Sequence, residues 1–279
     1  MSAPEHIEGD GAALAIWRTA PSLGGVRTAA LGAFSCDTLA HGADLIRRAV
    51  ALLKAEGFGA VLGPMDGDTW ASHRLVTESD GSPPFLLEPH NPAHYPAAFD
   101  AAGLSIVSRY LSAERPTTSP PPARAYPNGI KLRNLDKSRG EDELARLHAL
   151  SLESFASNAF YQAIPVERFV ASYAPVMGFV DPELVLLAED QSGALQGFLF
   201  GIPNYAEGPR PEAVILKTYA SRIKGLGSLL ADEFHRRAYD KGFTRVVHAL
   251  MHESNISAQH SGKLGGRIFR RYALWGQSW

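Results

Sequence analysis

Two short stretches of this chain hold residue types that could do chemistry. The run RVVHALMHESN ends in His252, Glu253 and Asn255. In a strand, alternate residues face opposite sides, so His248, Leu250 and His252 share one face and Ala249, Met251 and Glu253 the other. An imidazole titrates near neutral pH with the least tuning. Either His252 or Glu253 could take a proton from a nucleophile, directly or through water; a solvated or hydrogen-bonded structural group at a strand end is the competing reading. The second stretch is Arg222-Ile223-Lys224-Gly225-Leu226-Gly227-Ser228. Its two glycines leave the backbone uncovered, and it opens a helix. The first N–H groups of a helix lack intrahelical partners and its dipole favours an anion, so a phosphate could approach here.

The elements around these stretches set their positions. AVILKTYA before the loop alternates apolar residues and reads as a strand. After it, Leu226, Leu229, Leu230, Phe234 and Ala238 make one apolar stripe on a helix. Gly242 ends that helix, with Lys241 in its last turn, and the histidine-bearing strand follows. Strand, glycine turn, helix, strand puts a helix N-terminus beside a strand end.

From residue 130 onward the remaining elements read in sequence. Ile130–Leu135 is a strand, residues 142–154 (DELARLHALSLES) an amphipathic helix, and Val166–Tyr173 a helix after Pro165. Residues 183–189 and 193–202 are strands about a tight turn. A polar helical run covers 256–264, and RIFRRYALW is a last strand. This order, with Arg222-x-x-Gly225-x-Gly227 matching Gln/Arg-x-x-Gly-x-Gly/Ala, resembles the GNAT superfamily of acyl-CoA-dependent acyltransferases. The resemblance implies an α/β fold (α+β by some schemes), a mixed, mostly antiparallel twisted sheet flanked by helices. It implies that residues 222–228 hold the pyrophosphate of acetyl-CoA or another acyl-CoA. It implies that Leu216, Lys217, Thr218 and Tyr219 pair with the pantetheine arm, and that Asn255 contacts that arm, although Asn255 equally suits a helix N-cap. No metal is implied.

The resemblance departs from its pattern at one point. Many GNAT enzymes carry a Tyr after this strand that protonates the leaving thiolate. Counting from Asn255 puts Gly262 there; counting back from Lys263-Leu264-Gly265 puts Ser261 there. The donor could be Ser261, His260 or water, or be absent. Glu253, His252 and Ser261 are the catalytic candidates. The implied activity is N-acyl transfer to a small-molecule or peptide amine by direct attack; the alternative is a CoA-binding regulatory or scaffold protein that does not transfer.

The first 111 residues suggest a degenerate copy of the same unit. Fifteen residues separate Gly42 from Gly57-Phe58, as they do Gly227 from Gly242-Phe243, a spacing that points to an internal repeat. Asp37 then stands where the second half has Arg222, and Ala40 where it has Gly225. A carboxylate in that place repels a pyrophosphate by several kcal/mol, to order of magnitude, in a poorly solvated site. The first half should not bind acyl-CoA. Strands are expected at 12–18, 26–35, 60–64, 85–87 and 105–111, with helices over 43–58 and 91–103. SAERPTTSPPPARAYPNG, residues 112–129, reads as a Pro-rich extended linker, leaving 130–279 as the complete GNAT unit. Trp70, His73, Arg74, Glu88, His90 and Asn91 form a polar and aromatic group that could line an acceptor pocket or simply pack loops. Arg267, Arg270 and Arg271 could favour an acidic acceptor or the 3′-phosphate of CoA, or be exposed strand positions.

Composition narrows the class. The chain has 279 residues, 45% hydrophobic and 20% charged, with net charge −2, as an ordinary globular protein would. No global basic field points to nucleic acid. No apolar run reaches the roughly 18 residues of a spanning helix, and the acidic N-terminus does not read as a secretory signal. The lone Cys36 cannot form an internal disulfide, so a cytoplasmic address is expected. Oligomeric state is not legible.

Overall fold

The computed structural model describes residues 3–263 and 265–279. In chain order the elements are β1 (Glu5–Gly9), β2 (Ala12–Trp17), β3 (Thr28–Cys36), α1 (Leu39–Ala55), β4 (Ala60–Gly63), β5 (Leu75–Ser79), α2 (Tyr95–Ala101) and β6 (Ser105–Pro116). Then come β7 (Lys131–Asn134), α3 (Gly140–Phe155), α4 (Val166–Tyr173), β8 (Val185–Glu189), β9 (Leu195–Pro203), β10 (Ala213–Ser221), α5 (Leu226–Asp240), β11 (Arg245–His252), α6 (Ile256–Lys263) and β12 (Arg267–Ser278). The result is a mixed, mostly antiparallel sheet flanked by helices. Among the described residues no helix is long and apolar enough to cross a membrane.

The chain divides into two compact units. The first comprises the described residues up to Leu111, with Asn158–Gln162 and Phe269–Trp279. Its strands run β1-β2-β3-β4-β12, with β5 also on β12. β3 and β4 are parallel, joined by α1, and the other pairs are antiparallel. Thr38 caps α1 by accepting from the N–H of His41 at 3.2 Å, as a threonine N-cap should. The apolar face of α1, with Leu45, Ile46, Ala49 and Leu53, buries against Leu14, Ile16, Leu31 and Phe99.

The second unit holds Ser112–Ser157 and Ala163–Ile268, with strand order β11-β10-β9-β8-β7. Only β10 and β11 are parallel. The stripe read from sequence on α5 is the one that buries: Leu226, Leu230, Phe234 and Ala238 are sealed against Leu186, Leu199, Val214 and Val246. Gly201 allows the ring of Phe234 to lie on β9, since a Cβ there would sit 2.0 Å from the ring edge.

Several expectations need correction. The closing strand, expected within 130–279, pairs with β4 and β5 and belongs to the first unit. There Trp275 is 1% exposed, packs near Phe99 and donates to Asp100 at 2.7 Å. Order along the chain does not dictate sheet neighbours. Residues 85–87 are not a strand: Glu88 accepts from the N–H of Phe85 at 3.0 Å and closes a turn there. The strand of this region is β5, whose exposed polar residues give no alternation. β1 was missed for the same reason. β6 runs on to Pro116, so the first residues of the expected linker are strand, and Thr117 donates from its backbone to Thr244 at 2.9 Å.

Candidate acyl-CoA site

The centre of the second unit is a place where two strands part. β10 and β11 pair over four positions, from Ala213↔Arg245 to Leu216↔His248. β10 then continues to Ser221 on β9 alone, with Lys217 as an extra, bulged residue between Leu216 and Thr218. β11 leaves because Leu250 adopts φ 54° and its N–H donates to Ser112 Oγ at 3.0 Å. A leucine in left-handed geometry is strained by about 1 kcal/mol or more. The strands therefore open on Lys217, Thr218 and Tyr219, three of the residues the sequence singled out.

The loop at the end of β10 turns this opening toward a helix N-terminus. The N–H of Arg222 donates to Gln196 at 2.9 Å, keeping the loop on β9. Gly225 has φ 85° and no neighbour within 4 Å of where a Cβ would be. Conformation, not space, demands glycine there. Gly227 differs: a Cβ would lie 3.1 Å from the Tyr219 ring, so the loop rests on that tyrosine. α5 begins with no side-chain cap and no acid in its first turn. The first N–H groups of a helix have no intrahelical partner and lie at its positive dipole end, and here no side chain of the first turn supplies a carboxylate. Ile223, Lys224 and Leu226 complete the loop, with Leu226 buried beneath it.

Arg222 is already engaged. Its Nε and Nη2 donate to Glu153 of α3 at 2.6 and 2.8 Å, and Nη1 donates to the carbonyl of Leu195. This fork holds the arginine above its usual pKa and the Glu153 carboxyl below the carboxylate range. In this geometry the guanidinium grips α3 and the carbonyl of Leu195.

The proton-handling candidates lie on β11 and α6. His252 is half-buried, and its Nδ1 accepts from the N–H of Ser254 at 3.2 Å and lies 2.8 Å from Ser254 Oγ. Glu253 is half-buried beside it. Asn255 shapes the start of α6 through its backbone: its N–H donates to His252 at 3.0 Å and its carbonyl accepts from Ala258 at 3.1 Å. Ser261 is 3% exposed, with Oγ 2.7 Å from His248 Nδ1. His248 Nε2 in turn lies 2.9 Å from His235 Nε2 on α5. Burial drives His235 down to about 3 and His248 down to about 4, so both are uncharged at neutral pH. This chain of three buried polar side chains ties α5, β11 and α6 together around the parting strands. The sequence places His248 on the face of His252 without marking it as a candidate, although it stands in an apolar run; His235, flanked by Glu233, Phe234, Arg236 and Arg237, gives no such signal. The Leu264 of the Lys-Leu-Gly close lies outside the described residues.

Two other candidate groups prove to be engaged in packing. Glu88 has a fully buried side chain that accepts from the N–H of Phe85 and pairs with Arg270 and Tyr272. Asn91 accepts from the N–H of Val76 at 2.7 Å, Trp70 Nε1 donates to Gln162 at 2.8 Å, and His73 Nδ1 lies 2.8 Å from the carbonyl of Ala71. Arg74 stacks on Tyr110 at 3.9 Å, and His90 is exposed. Among the three arginines, Arg270 is buried, Arg271 pairs with Glu78 at 3.3 Å and Arg267 pairs with Glu114. Each already has a carboxylate neighbour, although only Arg270 is buried and Arg267 stays 60% exposed.

No protein-family model matches the chain, and no curated protein matches it either. Solved structures do. A GCN5-related N-acetyltransferase from Sphaerobacter thermophilus matches with a TM-score of 0.59 at 15% identity, over 96% of this chain and 76% of that one. A tandem GNAT protein from the clavulanic acid biosynthesis pathway matches with a TM-score of 0.55 at 14% identity, over 96% and 78%. A probable N-acyltransferase from Enterococcus faecalis matches with a TM-score of 0.58 at 9% identity, over 96% and 59%. At these identities the likeness is one of fold, and the fold agrees with what the parted strands and the glycine loop indicate: the chain has the GNAT fold of the GCN5-related N-acetyltransferases.

Proposed function

We propose that the chain is an acyl-CoA-dependent N-acyltransferase, with acetyl-CoA the first donor to test, acting on the amine of a small molecule or peptide. The observation that carries this reading is the opening between β10 and β11, which leads from Lys217–Tyr219 to the uncapped, acid-free start of α5. A pantetheine arm is a chain of amides that can hydrogen-bond to an opened strand. A pyrophosphate suits N–H groups at a helix start. Residues 216–219 would hold the arm and 222–228 the phosphates.

Acyl-CoA supplies the activated acyl group. The amine nitrogen attacks the thioester carbonyl carbon, the C–N bond forms, the C–S bond breaks and the thiolate departs. The amine must shed a proton, and His252 or Glu253 is the group to take it, directly or through water. The backbone beside the Lys217 bulge is the candidate to polarise the carbonyl. A buried lone Cys36 suits a reducing compartment such as the cytoplasm.

One observation favours a second reading, a CoA-binding protein that does not transfer. Ser261, the hydroxyl in the expected donor position, is buried and committed to His248. Thiol release from acetyl-CoA, measured over a panel of amines, separates the two: amine-dependent release supports transfer, and slow amine-independent hydrolysis supports the second. Titration calorimetry with the doubly substituted Arg222→Glu, Gly225→Asp protein tests the loop. Unchanged acetyl-CoA binding in that variant would sink the assignment.

A further inference from the structure

Two β-α-β units of this chain correspond at one constant displacement in sequence. From Gly42 to Gly227 the displacement is 185 positions, and the same displacement carries Gly57-Phe58 onto Gly242-Phe243. It also carries the parallel pairs Thr28↔Ala60, Ala29↔Val61 and Ala30↔Leu62 onto Ala213↔Arg245, Val214↔Val246 and Ile215↔Val247. In both units the first strand bulges just after these pairs, between Gly32 and Ser35 on β3 and at Lys217 on β10.

Beyond the shared pairs the two units diverge. In the second, the N–H of Leu250 turns away to Ser112 Oγ and the strands part. Its counterpart in the first unit, Met65, turns back: its N–H donates to Leu31 at 2.7 Å, and Leu31 is the counterpart of Leu216. One residue later Asp66 sets Oδ1 2.7 Å from the N of Ala33, within the bulge. Gly32 makes room for this crossing. A Cβ at Gly32 would lie 2.2 Å from Asp66 Oδ1 and 2.4 Å from the carbonyl of Met65. The counterpart of Gly32 is Lys217, whose side chain excludes the same crossing in the second unit. A carboxylate oxygen on a bulged strand N–H makes the contact that a ligand carbonyl would make in an open slot.

We propose that Asp66 is a resident plug. With Met65 and Gly32 it closes in the first unit the slot that Leu250 and Lys217 leave open in the second, so one chain takes one acyl-CoA. The identity of that ligand rests on the proposed function; the closure of the first slot does not.

Titration calorimetry of the wild-type chain with acetyl-CoA should give one site per chain, and two sites overturn the proposal. Amide hydrogen exchange tests the plug without any ligand. The Ala33 N–H should be protected in the wild type. It should stay protected in Asp66→Asn, which keeps an acceptor oxygen. In Asp66→Ala it should exchange about tenfold faster, the loss of one hydrogen bond worth about 1 to 1.5 kcal/mol. Equal exchange in Asp66→Ala and wild type overturns the plug, as does an unprotected Ala33 in the wild type should Asp66→Ala not fold. A chain that binds no acetyl-CoA but keeps this exchange pattern refutes the proposed function and upholds the plug.

Discussion

Replacing Glu153 by Gln should tighten acetyl-CoA binding. The Glu153 carboxylate holds Arg222 in a fork at 2.6 and 2.8 Å, beside the start of α5, where the phosphates would sit. It therefore competes with a pyrophosphate for the guanidinium and adds a like charge near it. The competition is weak because the two side chains are 35% and 59% exposed. Exposed pairs of this kind are weak and screened by solvent, so the expected affinity gain is small, on the order of a few-fold. Calorimetric titration of wild type and Glu153→Gln at low salt should resolve that gain. It should shrink at about 1 M salt, where the screening length is ~3 Å. Weaker binding by Glu153→Gln at low salt would refute the reasoning. Glu153 would then be orienting Arg222 toward the ligand, and the fork would belong to the binding geometry.

Gly225→Ala should lower stability by about 1–2 kcal/mol, the cost of placing a Cβ at φ 85°, read as a shift in thermal midpoint. Saturating CoA should restore part of that loss. Acid should weaken the fold through His235 and His248. Their folded values, about 3 and about 4, lie below the ordinary 6.5, so the unfolded chain takes up their protons first. Their contribution is complete above pH 6.5 and is lost as pH falls toward 4, by at most about 1.4 kcal/mol per pH unit for each histidine. Arg115 and His260 face the same group and hold its charge down further. Urea midpoints from pH 7 to 4.5 should fall less steeply in a His235→Phe, His248→Leu chain than in the wild type; parallel slopes would remove these histidines from the account. Arg133→Met should cost about 3–5 kcal/mol, because it leaves Glu143, with a side chain only 1% exposed, without its 2.9 Å partner. A urea midpoint unchanged from wild type would mean that Arg146, 3.9 Å away, suffices.

The elements that were legible in sequence are those whose burial leaves a period. α4 spans Val166–Tyr173 as read, and α5 buries the stripe from Leu226 to Ala238. β1 and β5 were not legible, because exposed strands such as EHIEG and LVTES keep no apolar alternation; backbone pairing alone makes them strands. The matched glycine spacing was legible because Gly57 and Gly242 both end helices at φ near 80°, a conformation few other residues tolerate. The place of β12 was not, since its apolar residues would suit either unit and only its pairing decides.

What could not be read at the site is the choice that makes it a site. Two units share the register of their parallel pairs and the glycines at both ends of the helix, yet one opens and the other is filled. The difference turns on where one N–H goes after the last shared pairs: Met65 back to Leu31, Leu250 out to Ser112. Neither residue type announces that choice, and Ser112 is 138 positions from its partner. The local clue is the pair Gly32 and Lys217, since only the residue without a Cβ lets the chain cross its own strand. A carboxylate at Asp37 would repel a phosphate at the mouth of the first slot. The acid that matters more is Asp66, which already sits on the Ala33 N–H, within the bulge where a ligand oxygen would have to sit. Substituting Asp37 by Arg alone should therefore leave the first unit without affinity for acetyl-CoA, and the calorimetric stoichiometry should remain one. A second site appearing in that variant would mean that charge at the mouth, and not occupancy within, keeps the first unit empty.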